Sequence, residues 1–168
     1  MSLVAVWFNG LRIHHVQLGI VEVDGLDTTD EILRLLSRRR TDIVFLSGVS
    51  FAGFNIVDCR RLNRVLRIPI IVISREKPNN ASVKRALRKH FADWKTRWRL
   101  VRNLGRIHAF APKASHQPLY FEAVGISATT AKTIIEAYCT TSRVPEPIRV
   151  AGILAKGLAL TRSELGWH

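Results

Sequence analysis

The stretch DIVFLSGVSFAGFN, residues 42–55, decides the fold. An apolar run ends at Leu46, a loop with Gly48 and Gly53 follows, and a helix-like pattern resumes at Asn55. A second apolar run, IPIIVIS, occupies residues 68–74. Neither run alternates with polar residues, the mark of strands covered on both faces, as in a parallel sheet. Between them Ile56, Val57, Leu62, Val65 and Leu66 give an apolar helical stripe over about 55–66. Strand, helix and strand form a βαβ unit, and the fold class is α/β.

The loop raises its own question. Glycines at 48 and 53 have the spacing of a phosphate-binding loop, which also needs Lys and Ser/Thr after the second glycine. Phe54 and Asn55 stand there instead. Val49, Phe51, Ala52 and Phe54 make the loop apolar, so it packs as much as it binds.

Upstream, LVAVWF (3–8) is followed by Asn9-Gly10, a strong hairpin signal because both residues tolerate positive φ. Residues 11–23 read as a long second strand. Thr28-x-x-Glu31 has the pattern of a capping box, in which Thr caps the new helix and Glu reaches back. Downstream, Asn79–Asn80 open a basic helical region to about 103, broken near Asp93. Strands are expected at about 106–111 and 118–125, and helices at about 128–141 and 147–160. The tail TRSELGWH reads as frayed. No repeat or linker divides the 168 residues, so a single domain over 1–168 is expected.

Lys and Arg number 26 against 13 acidic residues, a net charge of +13. A field of that sign concentrates polyanions, and nucleic acid is the leading partner. No apolar run reaches membrane-spanning length, and no basic region followed by an apolar core opens the chain, so no membrane association is expected. Cys59 and Cys139 lie far apart without metal-ligand spacing, which fits a reduced, cytoplasmic protein.

The acidic residues cluster at Glu22, Asp24, Asp27, Asp30 and Glu31. Carboxylates at a strand end and a helix start can converge on one divalent ion. They also favour the positive end of a helix, and composition alone weighs toward that role. The basic region carries Lys84, Arg85, Arg88, Lys89, Lys95, Arg97, Arg99 and Arg102, interleaved with Trp94 and Trp98. The cations suit phosphate contact, and the tryptophans, four apart on one helical face, suit packing. The histidines show no ligand spacing, and Ser47, Ser50 and Ser142 lack the context of a hydrolase nucleophile.

With VEVDGLDTT (21–29), LSGVSFAGFNIVD (46–58), IPIIVIS (68–74) and TSRVPEPIRVAGILAKG (141–157), nearly the whole chain resembles the archaeal endonuclease dU family. That family looks like a relative of endonuclease V, with a ribonuclease H-like fold: a mixed sheet flanked by helices. The resemblance implies a magnesium-dependent endonuclease acting on deaminated, deoxyuridine-containing DNA.

Two departures accompany it. Ser47 stands where the family has a catalytic Asp, and a neutral hydroxyl cannot replace a carboxylate as a charged ligand. The family's first strand, with its Asp-Asp-Gly motif, is expected to be lacking, because the sequence opens at the hairpin or its start is set downstream of the true one. The resemblance leaves Asp24 and Asp27 as catalytic and metal-ligating positions, with Lys77 as basic catalytic support. Gly48, Phe51, Gly53, Asn55, Arg75, Arg88, Lys89, Arg97 and Arg99 are the expected substrate contacts. Two readings follow: an endonuclease weakened in this chain, or a nucleic-acid-binding module without catalysis. A third is a structural protein whose charge is incidental. The missing strand would lie beside residues 42–47, and its unpaired edge predicts rearranged hairpin pairing or a homodimer.

Overall fold

The computed structural model describes residues 1–164. It opens with the expected hairpin, β1 (Ser2–Asn9) and β2 (Arg12–Ile20), turning at Gly10 with φ +57°. Then come α1 (Thr28–Leu36), β3 (Val44–Ser47), the short strands β4 (Ser50–Phe51) and β5 (Asn55–Ile56), α2 (Cys59–Leu66) and β6 (Ile70–Ser74). The chain continues through α3 (Asn80–His90), α4 (Trp94–Arg102), β7 (His108–Phe110), β8 (Leu119–Val124), α5 (Ala128–Tyr138) and α6 (Glu146–Glu164). Of the tail expected to fray, Thr161–Glu164 instead continue α6, and residues 165–168 lie outside the described residues.

A four-stranded sheet runs β3-β6-β8-β7, with β3 parallel to β6 and the other pairs antiparallel. Strand β6 is central, and its period of two splits the core. Ile70 and Val72 face α1 and α2 with Leu35 and Leu62, while Ile71 and Ile73 face α5 and α6 with Ala131, Ile135 and Ile148. The mixed α/β expectation holds.

Four local readings need correction. Asn55 and Ile56 do not begin a helix; they pair with Ser50 and Phe51 in a miniature hairpin, and α2 starts only after Asp58, whose carboxylate accepts the Arg61 amide at 2.9 Å. Thr28 and Glu31 form no capping box. Asp27 occupies the cap position without a side-chain cap bond, and Glu31 turns back to accept the Ile20 amide at 3.1 Å and pair with Arg34. Strand β3 meets core on both faces, Val44 and Leu46 on one and Ile43 and Phe45 on the other, but it is not fully buried, because it is an edge strand and Ser47 is exposed. The hairpin does not re-pair either, since β1 ladders with β2 alone. The break near Asp93 is real and lets α4 fold back on α3.

Candidate functional site

The parallel strands β3 and β6 end side by side, Ser47 paired with Ile73. The carboxyl ends of such strands are where α/β proteins place ligands. Gly48 follows with φ +82°, its amide donating to the Ile73 carbonyl at 2.9 Å. Beyond β6, Arg75 and Lys77 are both exposed. Ser47, Gly48, Arg75 and Lys77 thus lie at one end of the sheet, with the exposed Glu76 between the two cations and paired with Arg143 at 3.2 Å.

The acidic connector between β2 and α1 is tied into the miniature hairpin. Asp24, with φ +58°, accepts the Phe54 amide at 2.7 Å and donates its own amide to the Ala52 carbonyl at 2.8 Å. Gly53 has φ +80°, and a Cβ there would run into the Asp24 carboxylate. The glycine therefore makes room for Asp24, whereas a Cβ at Gly48 would meet nothing within 4 Å.

Asn55 is fully buried. Its carbonyl oxygen accepts the Thr28 amide at 3.2 Å, and its amide group donates to the Glu22 carbonyl at 2.9 Å and to Asp27. Asp27 also accepts the Glu22 amide at 3.1 Å. Burial pulls the Asp27 carboxyl upward, but the bonds from Asn55 and the Glu22 amide together outweigh it and hold the group below its ordinary range. Asp30 pairs with Arg61 across to α2. Asp24, Asp27, Asp30 and Glu31 each have a separate internal partner. Among the described residues no three His, Cys, Asp or Glu gather in a group able to hold a metal ion.

Arg97 is buried, only 6% exposed. Its guanidinium bonds the Asp93 carboxylate at 2.9 Å, the Gly25 carbonyl at 2.9 Å and the Phe54 carbonyl at 2.8 Å, and lies 4.4 Å from the Phe91 ring centroid. It clamps α4 to the connector and to the miniature hairpin rather than facing solvent. Phe51, half-buried, packs against the core that contains Leu46 and Val57. Asn55, Arg97 and Phe51 thus serve the framework of the site.

Arg88, Lys89 and Arg99, by contrast, are exposed. With Ala81, Lys84 and Arg85, the first two line a shallow concavity of about 470 Å³ on α3. Trp94 and Trp98 are half-buried between α3 and α4, capped by Arg88 at 5.4 Å and Lys84 at 5.7 Å. Their packing role carries a second one, since they hold two cations in place.

Glu122, which no sequence motif marks, is 4% exposed on β8 beside Val72 and has one carboxylate oxygen without a hydrogen-bond partner. Burial pushes its carboxyl up to about 7. The only signal was an acid in the middle of the apolar run LYFEAV. Burial also raises Cys59 and Cys139 to about 12, so both remain inert thiols. No helix among the described residues is long and apolar enough to cross a membrane.

The chain is similar to several known proteins. A UPF0215 protein of Methanothermobacter thermautotrophicus is 39% identical over 147 residues, 85% of this chain and 71% of that one. The crystal structure of a protein of unknown function from Archaeoglobus fulgidus superposes with a TM-score of 0.84 at 25% identity, covering 94% of this chain and 89% of that one. Human ENDOV superposes at 0.57 and 18% identity over 96% and 78%. Endonuclease V of Ciona intestinalis, solved with a 23mer DNA containing an inosine followed by a ribo-adenosine, superposes at 0.51 and 16% over 87% and 72%. The last two show the fold alone, which is ribonuclease H-like. The profile of the Endonuclease dU family matches residues 1–159, and the chain belongs to that family.

Proposed function

We propose that this chain engages DNA as a member of a deaminated-base endonuclease family, and that on its own it binds far better than it cuts. The observation that carries the reading is the contrast between available cations and occupied carboxylates. On α3 and α4, Lys84, Arg85, Arg88, Lys89, Lys95, Arg99 and Arg102 are exposed, and the one acid, Asp93, is held by Arg97. Such a face suits a phosphate backbone. Ser47, Gly48, Arg75 and Lys77, at the ends of β3 and β6, are proposed to meet the nucleotide to be processed. Lys77 and Arg75 would neutralise the phosphate. The DNA bound by the Ciona endonuclease V supports a nucleic-acid partner for this fold. Deoxyuridine as the preferred lesion rests on the family.

An endonuclease of this family implies a divalent metal. The residues described here do not make a complete centre for one. Asp24 is engaged with the Phe54 amide, Asp27 with Asn55 and the Glu22 amide, and Ser47 brings no charge. Asp24 and Asp27 remain proposed as partial ligands that would have to give up those bonds.

The test pairs two measurements on one deoxyuridine-containing duplex. Anisotropy across a salt series should show tight, steeply salt-dependent binding, because neutralised phosphates release counterions. Single-turnover cleavage with magnesium or manganese should be orders of magnitude slower than binding would allow. Salt-independent binding, or none at low salt, would sink the DNA reading. Rapid cleavage abolished by Asp24→Ala would show that the carboxylates present suffice. The non-catalytic alternative is favoured if cleavage is absent at every metal concentration while binding persists.

A further inference from the structure

Helices α1 and α2 start side by side at the candidate site. The Thr28 amide donates to Asn55 at 3.2 Å, the Asp58 amide donates to Thr29 at 2.9 Å, and Arg61 pairs with Asp30. The two helices lead into β3 and β6, parallel strands that both end at the site. Their last turns therefore lie together at the opposite end of the sheet, about 15 Å away at ~3.3 Å per residue along β6. There the Val44 amide donates to the Pro69 carbonyl at 3.0 Å, and Asn63 Nδ2 donates to the Ile68 carbonyl at 2.9 Å. The hairpin reaches the same end: Trp7 Nε1 donates to Thr41 at 3.2 Å, and Arg12 stands opposite Asn9 at the turn.

Each of these segments brings arginine to the far end. Arg38, Arg39 and Arg40 follow α1, Arg64 and Arg67 close α2, and Arg12 flanks the hairpin turn; all are exposed. Over residues 9–13, 37–43 and 63–69 the one acid is Asp42, which pairs with Arg40 at 3.5 Å. Among the described residues Arg12, Arg38, Arg39, Arg64 and Arg67 have no carboxylate partner. Cations favour the last turn of a helix, and that accounts for Arg64. It does not account for Arg12 or for the run that follows α1. Arg67 stands against local preference altogether. It caps α2 with φ +57°, where glycine sits without strain and arginine does not.

The cation type points to the partner. Residues 9–13, 37–43 and 63–69 hold no lysine. The planar guanidinium fork matches two phosphate oxygens at once and suits nucleic-acid backbones. A lipid surface holds proteins through an apolar helix face or acyl chain as well as through charge, whereas these segments are two connectors and a hairpin turn.

We propose that this end of the sheet is a second phosphate-binding surface. It takes the backbone of a separate nucleic-acid duplex segment, so that one molecule bridges two. The α3–α4 face does not share a straight duplex with it. Arg97 ties α4 to the Gly25 and Phe54 carbonyls at the site end, and Arg60, in the first turn of α2, donates to the Asn103 carbonyl just beyond α4. A duplex along α3 and α4 therefore leaves the far arginines unoccupied. Their contacts are with phosphates alone, so the second segment needs neither a lesion nor a sequence.

The experiment uses the full chain and a short undamaged duplex in two pools, one with a donor dye and one with an acceptor. Energy transfer between the pools, with protein limiting, reports bridging. The chain as it is should give transfer. Arg38→Ala/Arg39→Ala/Arg67→Gly should abolish it and reduce the stoichiometry to one duplex per protein. The same variant should not melt earlier, because glycine suits the left-handed cap. The salt slope of the second binding event should fall by about 2.7 when three phosphate contacts go. A second comparison adds the same three substitutions to Arg88→Ala/Lys89→Ala/Arg99→Ala. The duplex binding left in that background should drop at least tenfold. No transfer with the unsubstituted chain, transfer unchanged by the three substitutions, or no drop in the second comparison would overturn the proposal, and normal binding of one duplex would leave the α3–α4 reading standing. Transfer that needs two protein molecules per pair of duplexes in sedimentation would overturn it in favour of a dimer. Loss of binding to phosphatidylserine vesicles with duplex transfer intact would overturn it in favour of a lipid surface.

Discussion

The connector between β2 and α1 carries Glu22, Asp24, Asp27, Asp30 and Glu31, and the α3–α4 pair carries Lys84, Arg85, Arg88, Lys89, Lys95, Arg97, Arg99 and Arg102. In the sequence the acids read first as company for a helix start and second as metal ligands, and the cations as phosphate contacts. In the fold they diverge. Four of the five acids are bonded to amides, Asn55 or arginines within the protein, while the cations other than Arg97 face solvent. Acids are scarce in this chain, and the connector uses them as ties that hold the miniature hairpin beside α1. Cations are plentiful, and the surplus is left for an outside partner. Charge density alone therefore does not mark a site; what matters is whether the charge is already satisfied.

Arg97 is the cation that crosses this divide, and its loss should have the largest effect. Arg97→Ala leaves the Gly25 and Phe54 carbonyls and the Asp93 carboxylate without their shared donor. Removing one partner of a buried charged network costs on the order of 3 kcal/mol, and for a domain of this size that lowers the melting temperature by roughly 10 °C. Calorimetry of Arg97→Ala beside Arg99→Ala checks it. Equal melting temperatures for the two variants would erase the distinction drawn between them.

Arg97 and Arg99 also show what was and was not legible. Two residues apart in a basic helix, they look alike by composition. The Asp93–Arg97 spacing, four apart on one helical face, was the available clue. The buried strand β6 was plain from IPIIVIS, because four consecutive buried residues leave no other pattern. The helix starts at Asn79 and near Asp93 were plain from residues that punctuate helices. Asn55 was not: beside Ile56 and Val57 it resembles a helix start, and only the fold reveals that its amide joins Thr28, Glu22 and Asp27. Local signals identify elements. Hydrogen bonds between residues some thirty positions apart, which build this site, leave no local trace.

Glu122 is the acid with neither a tie nor solvent, and it sharpens the comparison through pH. Its native carboxyl is raised by burial to about 7 from an ordinary 4.5. The native state then holds a proton that the unfolded chain releases between these values. Stability is therefore unaffected below about pH 4.5, falls as pH rises through 7, and stays lower above it. The full shift corresponds to roughly 3 kcal/mol by pH 8. Glu122→Met, of similar length and without charge, should flatten urea-denaturation stability between pH 5 and 8 and raise it at pH 8. An unchanged pH profile would show that Glu122 is not the group responsible.

The two glycines of the 48–53 loop provide a smaller contrast. Both have positive φ, so alanine at either costs about 1 kcal/mol from the backbone alone. At Gly53 the new methyl also displaces the Asp24 carboxylate from the Phe54 amide, adding about 1 kcal/mol for the lost charged bond. Gly53→Ala should thus be less stable than Gly48→Ala in denaturant titrations. Equal loss would mean that Asp24 does not depend on the gap at Gly53.

The smallest effect on stability should accompany a large effect on binding. Arg88, Lys89 and Arg99 are exposed, and among the described residues none has a carboxylate partner. Replacing Lys89 or Arg99 with Ala should change stability by no more than about 0.5 kcal/mol each. Arg88 should cost slightly more, because it also lies over the Trp94 ring, a contact worth roughly 0.5–1 kcal/mol. DNA binding responds differently. Each phosphate contact contributes about 0.9 to the slope of log affinity against log salt. If all three residues meet phosphates, the triple variant should lose about 2.7 from that slope. The same variant should bind deoxyuridine-containing and undamaged duplexes with equally weakened affinity, since phosphate contacts carry no base information. An unchanged slope with normal folding would place the DNA on another face of the molecule. A slope lost only on the deoxyuridine duplex would place these cations at the lesion rather than along the backbone.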